Sequence, residues 1–402
     1  MTTTEKRFLE ALTAFMRGEK VAWESLSSDE IGDLFRLSEQ QHVFPMIFEA
    51  AREAPAVTQD ENFAKLRQTA IRRTVTGMQK TEAFFRIRDA LEARGLHPLT
   101  VKGILCADLY PQSDLRISSD DDLLVSAAEW AAVCDVLSSS GMQSAGGTDG
   151  TDCSWHSPDC YIETHRTLFP SDDPAFASLN DIFADVHVSP VSYTLQSGRT
   201  VLSMTPEKHL LYLLFHAYKH FIHSGFGVRQ VLDIGLWAGR YAAEIDFDAV
   251  YDVCAENRLL LFAKAVFLLA DQLSSGHVPL SAKWDGVLTD PAPMLDDLLI
   301  GGVFGSSSQD RLHSATVTLH AAQASRSGGR SGILKTVFPP RKELVGQYPK
   351  LEKSALLLPV VWGKRLIRYA KEMKSGKKSR PAESLRIAED RLRLLRLYGV
   401  IE

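Results

Sequence analysis

A change of hydrophobic periodicity near residue 96 constrains the fold of this chain more than any other feature. Before it, "TVTGMQKTEAFFRIRDALEARG" places apolar residues three and four positions apart, which is typical of an amphipathic helix. Between residues 96 and 204, short β-type runs alternate with helical segments and clusters of turn formers. From Thr205 onward the helical spacing returns. The sequence therefore predicts an α+β fold in which a mixed sheet is flanked by two helical regions.

The predicted core contains a helix and several short strands. The helix is "EWAAVCDVLSSSG" (129–141), which ends in serines and a glycine. The strand candidates are "LHPLTVKG" (96–103), "DDDLLVS" (120–126), "CYIETHRTLF" (160–169) and "FADVHVS" (183–189). The predicted regions are an N-terminal helical region (1–84), a mixed-sheet core (85–204) and a C-terminal helical domain (205–402).

Composition narrows the class of protein. The 402 residues carry a formal net charge of -5, which argues against a protein that binds nucleic acid through its whole surface. The most apolar run, "LLLFAKAVFLLA" (259–270), is too short to cross a membrane and contains Lys264, so we expect a core helix. The N-terminal segment carries acidic residues, unlike a signal peptide. These features predict a cytoplasmic protein.

Two local features each allow two interpretations. Cys153 and Cys160 flank His156 in "CSWHSPDC", where a metal site is one interpretation and a loop with two free thiols is the favoured one. Residues 364–396 hold twelve Lys and Arg against four Asp and Glu. They could contact RNA, a membrane surface or an acidic partner. Their Leu and Arg recur at helical spacing without an aromatic platform for bases, which favours solvated helix faces.

Three consecutive aspartates, Asp120, Asp121 and Asp122, open one of the predicted strands. Close carboxylates repel one another and resist burial, so stability alone does not explain them, although aspartates also cap turns. Alternate residues of a strand share a face, so Asp120 and Asp122 point the same way, about 7 Å apart, and Asp121 points opposite. Such a pair can bridge two Mg²⁺ ions. A third carboxylate on a neighbouring strand would complete the site, and Glu163 is the candidate, with His165 on its face.

The segment "LTVKGILCADLYPQSDLRISSDDDLLV" resembles the uncharacterised nucleotidyltransferase-like family of the DNA polymerase beta-type nucleotidyltransferase superfamily. The family pattern is an apolar strand ending in Lys-Gly, a helix with a Tyr, an Arg, and Asp-x-Asp before an apolar strand. The matching residues are Lys102, Gly103, Tyr110, Arg116, Asp120 and Asp122. Later family features are a strand with an acid before a His, and a helix with two His followed by Arg and Asp. They are matched at Glu163, His165, His216, His220, Arg229 and Asp233.

The resemblance implies a nucleotidyltransferase core that moves a nucleoside monophosphate from an NTP to an acceptor and releases pyrophosphate. Asp120 and Asp122 would bind two Mg²⁺ ions, and Glu163 would bind the catalytic ion and help to deprotonate the acceptor. Lys102 and Gly103 would cradle the phosphates, in the place where better-studied superfamily members carry Gly-Ser. The further candidates for nucleotide contact are Arg116, His165, His216 and His220.

Several of these residues also have structural interpretations. Arg116 could neutralise the aspartates as an ion pair, or it could contact phosphate. His216 and His220 are four residues apart and share a helix face, where they would contact nucleotide or acceptor, or form a packed interface. Arg229 and Asp233 are also four apart and could form a helix-stabilising pair.

The sequence leaves the acceptor open: it could be a small molecule, a sugar, a protein side chain or an RNA. The alternatives to a general transferase are a catalytically silent nucleotide-binding module and an RNA-directed, toxin-like transferase. In an active enzyme, removal of Asp120 or Asp122 should abolish transfer and leave the fold largely intact, because it relieves repulsion between carboxylates.

Overall fold

The computed structural model describes most of the first 302 residues and shorter stretches after them. The described residues are 1–145, 150–173, 175–223, 225–274, 276–302, 318–319, 341–344, 348, 357–364 and 381–401. Residues 365–380 of the basic segment lie outside this set, so the interpretation of that segment stays a prediction.

The N-terminal region is helical, as the apolar spacing predicts. Its helices are α1 (Thr3–Met16), α2 (Ser28–Gln40), α3 (Phe44–Ala51), α4 (Pro55–Thr58) and α5 (Phe63–Glu92). The first two helices begin with capping boxes, in which a Thr or Ser side chain and a Glu side chain each accept a backbone N–H. The predicted end of this region, residue 84, lies inside α5, and the division of the chain into three regions stays a prediction.

The predicted mixed sheet is confirmed. Within the described residues its strands are β1 (Leu99–Val101), β2 (Asp121–Leu124), β3 (Gln143–Ala145), β4 (Asp152–His156) and β5 (Tyr161–His165). They lie in the order β1-β2-β5-β4-β3, with β2 and β5 parallel and the other neighbours antiparallel. The connections include α6 (Gly103–Ala107), a 3₁₀ turn (Ser113–Leu115) and α7 (Trp130–Ser139). The sheet thus makes direct neighbours of the strands that carry the aspartates and Glu163.

The strand predicted at residues 183–189 is wrong. This segment follows a 3₁₀ helix (Ala177–Phe183) and forms turns. Phe183 and Val186 are buried three residues apart, at the spacing of a helical turn, whereas Val188 is 80% exposed. A separate hairpin, β6 (Val191–Thr194) and β7 (Thr200–Ser203), comes directly after it.

The described part of the chain after Thr205 is helical. Its helices are α8 (Pro206–His223), α9 (Val228–Arg240), α10 (Phe247–Glu256), α11 (Leu260–Ser274), α12 (Ala292–Gly301), α13 (Arg341–Leu344) and α14 (Pro381–Leu397), with a 3₁₀ turn at Ala282–Gly286. The apolar run at 259–270 forms most of α11 and is packed into the core, as predicted. None of the described helices is both long enough and apolar enough to cross a membrane.

Candidate active site

The candidate site lies on one face of the sheet, where β2, β5 and β4 adjoin. Asp122 stands opposite Glu163 in the parallel pairing of β2 and β5, and His165 follows two residues later on β5. Asp152 stands opposite His165 in the antiparallel pairing of β4 and β5. Because residues paired across strands share a face, this register directs all four side chains to the same side of the sheet.

Asp122 is at the centre of this face. Its side chain is 2% exposed, and Oδ2 lies 2.9 Å from Lys102 Nζ while Oδ1 lies 2.9 Å from His165 Nε2. Burial alone would raise the pKa of Asp122, but the Lys102 ammonium and His165 hold it well below its usual range. Asp122 does repel Asp121 and Glu163, as the sequence predicts, but the structure adds an opposing attraction to Lys102 and His165. Removal of Asp122 would leave the largely buried ammonium of Lys102 without its carboxylate.

His165 and Glu163 are held in fixed orientations beside Asp122. His165 Nδ1 lies 3.0 Å from Asp152 Oδ1, and the Tyr161 hydroxyl donates to Glu163 Oε1 at 3.2 Å. Burial lowers the pKa of His165, but its bonds to Asp122 and Asp152 outweigh this effect and raise it to about 9. Burial and the neighbouring aspartates raise the pKa of Glu163. The metal-free site therefore places the Glu163 carboxylate beside a charged imidazole.

The other two aspartates fall on opposite sides of β2, as the strand alternation predicts. Asp120 is half-buried, lines the same cavity as Asp122 and accepts a hydrogen bond from Ser119 Oγ at 2.9 Å. Asp121 lines a different cavity, and burial together with its two neighbouring carboxylates raises its pKa to about 7. Repulsion among the three carboxylates is thus reduced, because one faces away and another is bonded to two cationic groups.

The turn between β1 and α6 brings the backbone close to these aspartates. Lys102 has a φ of +53° and Gly103 a φ of +41°, a region of backbone space that favours glycine. The backbone N–H of Lys102 donates to Nε2 of His209, a fully buried residue of α8, at 3.1 Å. A Cβ at position 103 would lie 3.0 Å from Asp121 Oδ1. The turn therefore favours glycine at position 103 and holds Lys102 in a strained conformation.

Two histidines of α8 extend the cluster around Lys102. His216 Nε2 lies 3.2 Å from Lys102 Nζ, and His220 Nε2 lies 3.3 Å from His216 Nε2. Burial and the Lys102 ammonium hold the pKa of His216 well below its usual range, while burial and Lys219 lower that of His220 to about 3. Both imidazoles are therefore neutral near pH 7 and line the cavity as hydrogen-bonding groups.

Among the described residues, Asp233 pairs with Arg116, so the interpretation of Arg229 and Asp233 as a helix-stabilising pair is wrong. The interpretation of Arg116 as an ion-pair partner of the three aspartates is wrong for the same reason. Arg116 Nε and Nη2 lie 3.1 and 2.5 Å from the two carboxylate oxygens of Asp233, and Tyr110 donates to the same group at 2.8 Å. Arg229 donates to the backbone carbonyl of Ile117. The planar guanidinium of Arg116 offers Asp233 a two-pronged contact, which a partner four residues away on the same helix does not match.

These side chains surround a cavity of about 300 Å³. Its lining includes the candidates Lys102, Gly103, Arg116, Asp120, Asp122, Glu163, His216 and His220, together with Ser118, Lys219, Arg229, Gln230 and Asp233. Nη1 of Arg116 and Nε of Arg229 are buried and have no hydrogen-bond partner among the described residues. Guanidinium donors without acceptors, from residues that line the same cavity as Lys102, fit an anionic ligand such as a phosphate chain.

The donor set also fits a divalent cation. One possible ligand atom from each of Asp122, Glu163 and His165 lies within 4.8 Å of the others. Asp120 is not part of this cluster, although it lines the adjoining cavity. Of the metal ligands proposed from the sequence, the structure brings Asp122 and Glu163 together, and it adds His165.

The "CSWHSPDC" segment does not form the alternative metal site. Cys153 and Cys160 are buried free thiols, as favoured from the sequence, but Cys153 and the exposed His156 lie in strand β4 and not in a loop. Among the residues that the structure describes, the group able to hold an ion is the one around Asp122.

Sequence reasoning missed three residues that shape the site. Asp152 lies in a turn-rich segment, and its contact with His165 depends on a strand register that the sequence does not supply. Tyr161 precedes Glu163 by two residues, so strand alternation could have identified it. His209 precedes His216 by seven residues, a helical repeat that could have placed both on one face.

One known family matches the chain. The model of this family, described as an uncharacterised nucleotidyltransferase, covers residues 27–275, which is more than half of the chain. The matched span contains the mixed sheet, the hairpin of β6 and β7, and helices α2 to α11. No curated protein and no solved structure matches the chain.

Proposed function

The chain belongs to this uncharacterised nucleotidyltransferase family, and we therefore propose that it moves a nucleoside monophosphate from an NTP to an acceptor and releases pyrophosphate. The observation that carries the proposal is the pairing of Asp122 with Glu163 on adjacent parallel strands. This pair borders a cavity lined by Arg116 and Arg229, each of which has one buried donor without an acceptor among the described residues. The acceptor is a small molecule, a sugar, a protein side chain or an RNA.

The proposed reaction depends on divalent metal, with Mg²⁺ as the ion expected from the resemblance. Asp120 and Asp122 would hold two ions, and Glu163 would share the catalytic one. When bound, the metal polarises the α-phosphoryl group and neutralises charge on the departing pyrophosphate. The carboxylates at the entrance of β2 supply the oxygen ligands that such ions require.

Glu163 is the proposed general base. Support for this role comes from its position opposite Asp122 in the strand pairing, beside the carboxylates that would hold metal. Glu163 takes the proton of the acceptor hydroxyl, and the acceptor oxygen forms a bond to the α-phosphorus. The bond from the α-phosphorus to the oxygen that bridges to the β-phosphate breaks, and pyrophosphate leaves with that electron pair. The proton on Glu163 is then released to water.

Cationic and backbone groups would hold the triphosphate. Lys102 supplies an ammonium, and Gly103 opens α6 with a backbone that can approach a phosphate closely. Arg116 and Arg229 each contribute a buried donor without an acceptor among the described residues. Together these groups would orient the α-phosphorus toward the acceptor.

A catalytically silent nucleotide-binding module is the second candidate, and one observation favours it. Lys102 and His165 bind both oxygens of Asp122, so the carboxylate that would hold metal is already satisfied. In an active enzyme, metal or phosphate must replace at least one of these contacts. The RNA-directed reaction depends on residues 364–396 and stays a prediction.

Position-specific labelling tests the proposal. The full-length protein is incubated with Mg²⁺ and with NTPs radiolabelled at the α- or the γ-phosphate, in the presence of small-molecule, RNA or protein fractions of a cell extract. We expect the α-label alone to enter one fraction, with an equal amount of pyrophosphate released. The isosteric variant Glu163→Gln should lower the rate by a factor of about 100 or more.

Other outcomes decide between the alternatives. Entry of the γ-label would show phosphoryl rather than nucleotidyl transfer. Metal-dependent NTP binding without transfer to any fraction would favour the silent module.

A further inference from the structure

Each of the residues Asp122, Glu163 and His165 is held by a contact with one residue outside their cluster. Each residue presents one polar atom to a common point, and a residue outside the cluster holds its other polar atom. The anchoring contacts are Lys102 Nζ to Asp122 Oδ2 at 2.9 Å, Tyr161 OH to Glu163 Oε1 at 3.2 Å, and Asp152 Oδ1 to His165 Nδ1 at 3.0 Å. The three inward atoms are therefore oriented independently of one another.

The spacing of the inward atoms is that of ligands around one ion. His165 Nε2 lies 2.9 Å from Asp122 Oδ1 and 3.7 Å from Glu163 Oε2. Ligand atoms about 2.1 Å from a metal lie roughly 3 to 4 Å from one another, so an ion fits between these three with small adjustments. The ion takes the place of the proton on His165 Nε2, which is released to water. The strand register fixes this geometry, because Asp122 and Glu163 are cross-strand partners and His165 follows on the same face.

The contact between Asp152 and His165 adds a second, separate observation. Histidines that bind metal usually donate their other ring N–H to a carboxylate or a carbonyl, which fixes the ring and directs the remaining nitrogen to the ion. Asp152 Oδ1 accepts this kind of hydrogen bond from Nδ1 of His165. Asp152 lies on a different strand, β4. Asp152 itself is 54% exposed and takes no part in the cavity around Asp122.

We propose that Asp122, Glu163 and His165 form a histidine-containing centre that binds a first-row transition dication in preference to Mg²⁺, with Mn²⁺ as the paramagnetic probe of that preference. An imidazole nitrogen is a good ligand for transition ions, whereas Mg²⁺ favours oxygen and gives up its water reluctantly. The use of this ion in nucleotidyl transfer rests on the proposed function, but its binding does not. Asp152 is a positioning residue for this centre.

Electron paramagnetic resonance tests the centre without any turnover. Mn²⁺ is titrated into the full-length, chelator-treated protein, and the signal of free Mn²⁺ reports the bound fraction. We expect one tight site per chain, with spin-echo modulation from a directly bound ¹⁴N nucleus. Competition with Mg²⁺ should show that Mn²⁺ binds at least ~10-fold more tightly, in line with the effect of a well-oriented nitrogen ligand.

Three variants locate the nitrogen. His165→Gln should abolish the ¹⁴N modulation and weaken Mn²⁺ binding by a factor of about 10 or more, with a smaller loss for Mg²⁺. Asp152→Ala leaves the cluster complete and should weaken Mn²⁺ binding less. His156→Gln, in the same sheet but exposed, is the matched control and should behave as the wild type.

The outcomes separate this inference from the proposed function. Mn²⁺ binding without ¹⁴N modulation, or with modulation that persists in His165→Gln, would overturn the histidine centre. Equal affinity for Mg²⁺ and Mn²⁺ would overturn the preference. Neither result affects transfer of the α-label. A wild type that shows the ¹⁴N-coupled site but transfers no label would support this centre and count against the proposed function.

Discussion

Among single residues, Asp122 makes the contacts on which the site most depends. A buried carboxylate is tolerated when partners replace its water, and here an ammonium from Lys102 and an imidazole from His165 do so. Asp120 is half-buried and accepts one hydrogen bond from Ser119. The two aspartates share a strand face but differ in environment, so they should respond differently to substitution.

Substitution of these two aspartates tests that difference. Asp122→Ala should lower the free energy of unfolding by about 3 kcal/mol or more, because it leaves a largely buried ammonium unpaired. Asp120→Ala should change it by less than about 1 kcal/mol, because solvent reaches this side chain. Urea unfolding followed by circular dichroism measures both. Equal effects would contradict the central place of the pair between Asp122 and Lys102.

The raised pKa of His165 predicts how the stability of the metal-free protein depends on pH. Its pKa is about 9 in the folded chain and about 6.5 when unfolded, so its charged pairing stabilises the fold fully below pH 6.5. This contribution is lost as the pH rises through about 9. The free energy of unfolding should therefore fall between these values.

The same pH series in two variants shows whether His165 causes this pH dependence. His165→Gln should flatten the fall, whereas His156→Gln should keep it. A decline of the same steepness in His165→Gln would assign the pH dependence to another group.

At the scale of elements, the turn from β1 to α6 joins the sheet to the cavity. The strained Lys102 is held by the imidazole of His209 from α8, and Gly103 lies against Asp121. Strain of this kind persists where surrounding contacts over-determine the backbone, often at functional sites. The position of the Lys102 ammonium therefore depends on two elements, β1 and α8.

Gly103→Ala tests the turn. The added Cβ meets Asp121 Oδ1 at 3.0 Å at a positive φ, so we expect a loss of about 1–3 kcal/mol in the free energy of unfolding. NTP binding should weaken as well, because in the proposed function this turn would contact the phosphates. The control is Gly32→Ala in α2, where the new Cβ meets open space and should stabilise the helix slightly. Equal stability of the two variants would show that the turn tolerates a side chain.

Much of the fold at this scale could be predicted from the sequence. Helical spacing located the helices around the core, and the short apolar runs located β1, β2 and β5. The strand expected at 183–189 failed because alternation over a few residues cannot show whether a neighbouring strand is present to pair with. The hairpin of β6 and β7 was missed although its sequence carries a signal: Val191, Tyr193 and Leu195 alternate with polar residues, and Ser197 and Gly198 lie between the strands.

Features of the site that depend on a single segment could be predicted from the sequence. Contacts that depend on how the strands pair could not. Strand alternation placed Asp120 and Asp122 on one side of β2 and Asp121 on the other. The contacts of Asp122 with Lys102 and His165 could not be foreseen, because they join strands far apart in sequence. Arg116 and Asp233 are likewise more than a hundred residues apart, and only the tertiary fold brings them together.

At the scale of the whole molecule, one buried ion pair ties the loop before β2 to the C-terminal helices. Arg116 and Asp233 have side chains that are 4% and 5% exposed, and Tyr110 donates to the same carboxylate. A continuous apolar core surrounds them and runs from Phe8 to Ile401. The geometry of the cavity should therefore depend on packing well outside the sheet.

A comparison of a single and a double variant tests this contact between Arg116 and Asp233. Asp233→Ala should cost about 3–5 kcal/mol of unfolding free energy, because it leaves the buried guanidinium of Arg116 unpaired. The combined change Arg116→Met/Asp233→Leu should recover most of that loss, since neither charge remains. Asp252→Ala, which breaks an exposed pair with Lys283, is the control and should have little effect. A double variant no more stable than Asp233→Ala would contradict a direct pair.

The central claim is that the entrance of β2 binds a metal–NTP complex, and calorimetric titration tests it most directly. The four NTPs are titrated into the folded, full-length protein with and without divalent metal. The same titrations into the double variant Asp120→Asn/Asp122→Asn are the control. Circular dichroism checks that both proteins are folded. The account predicts metal-dependent binding of at least one NTP by the wild type and its loss in the double variant. Absence of binding by the folded wild type, or binding that survives in the double variant, would contradict it.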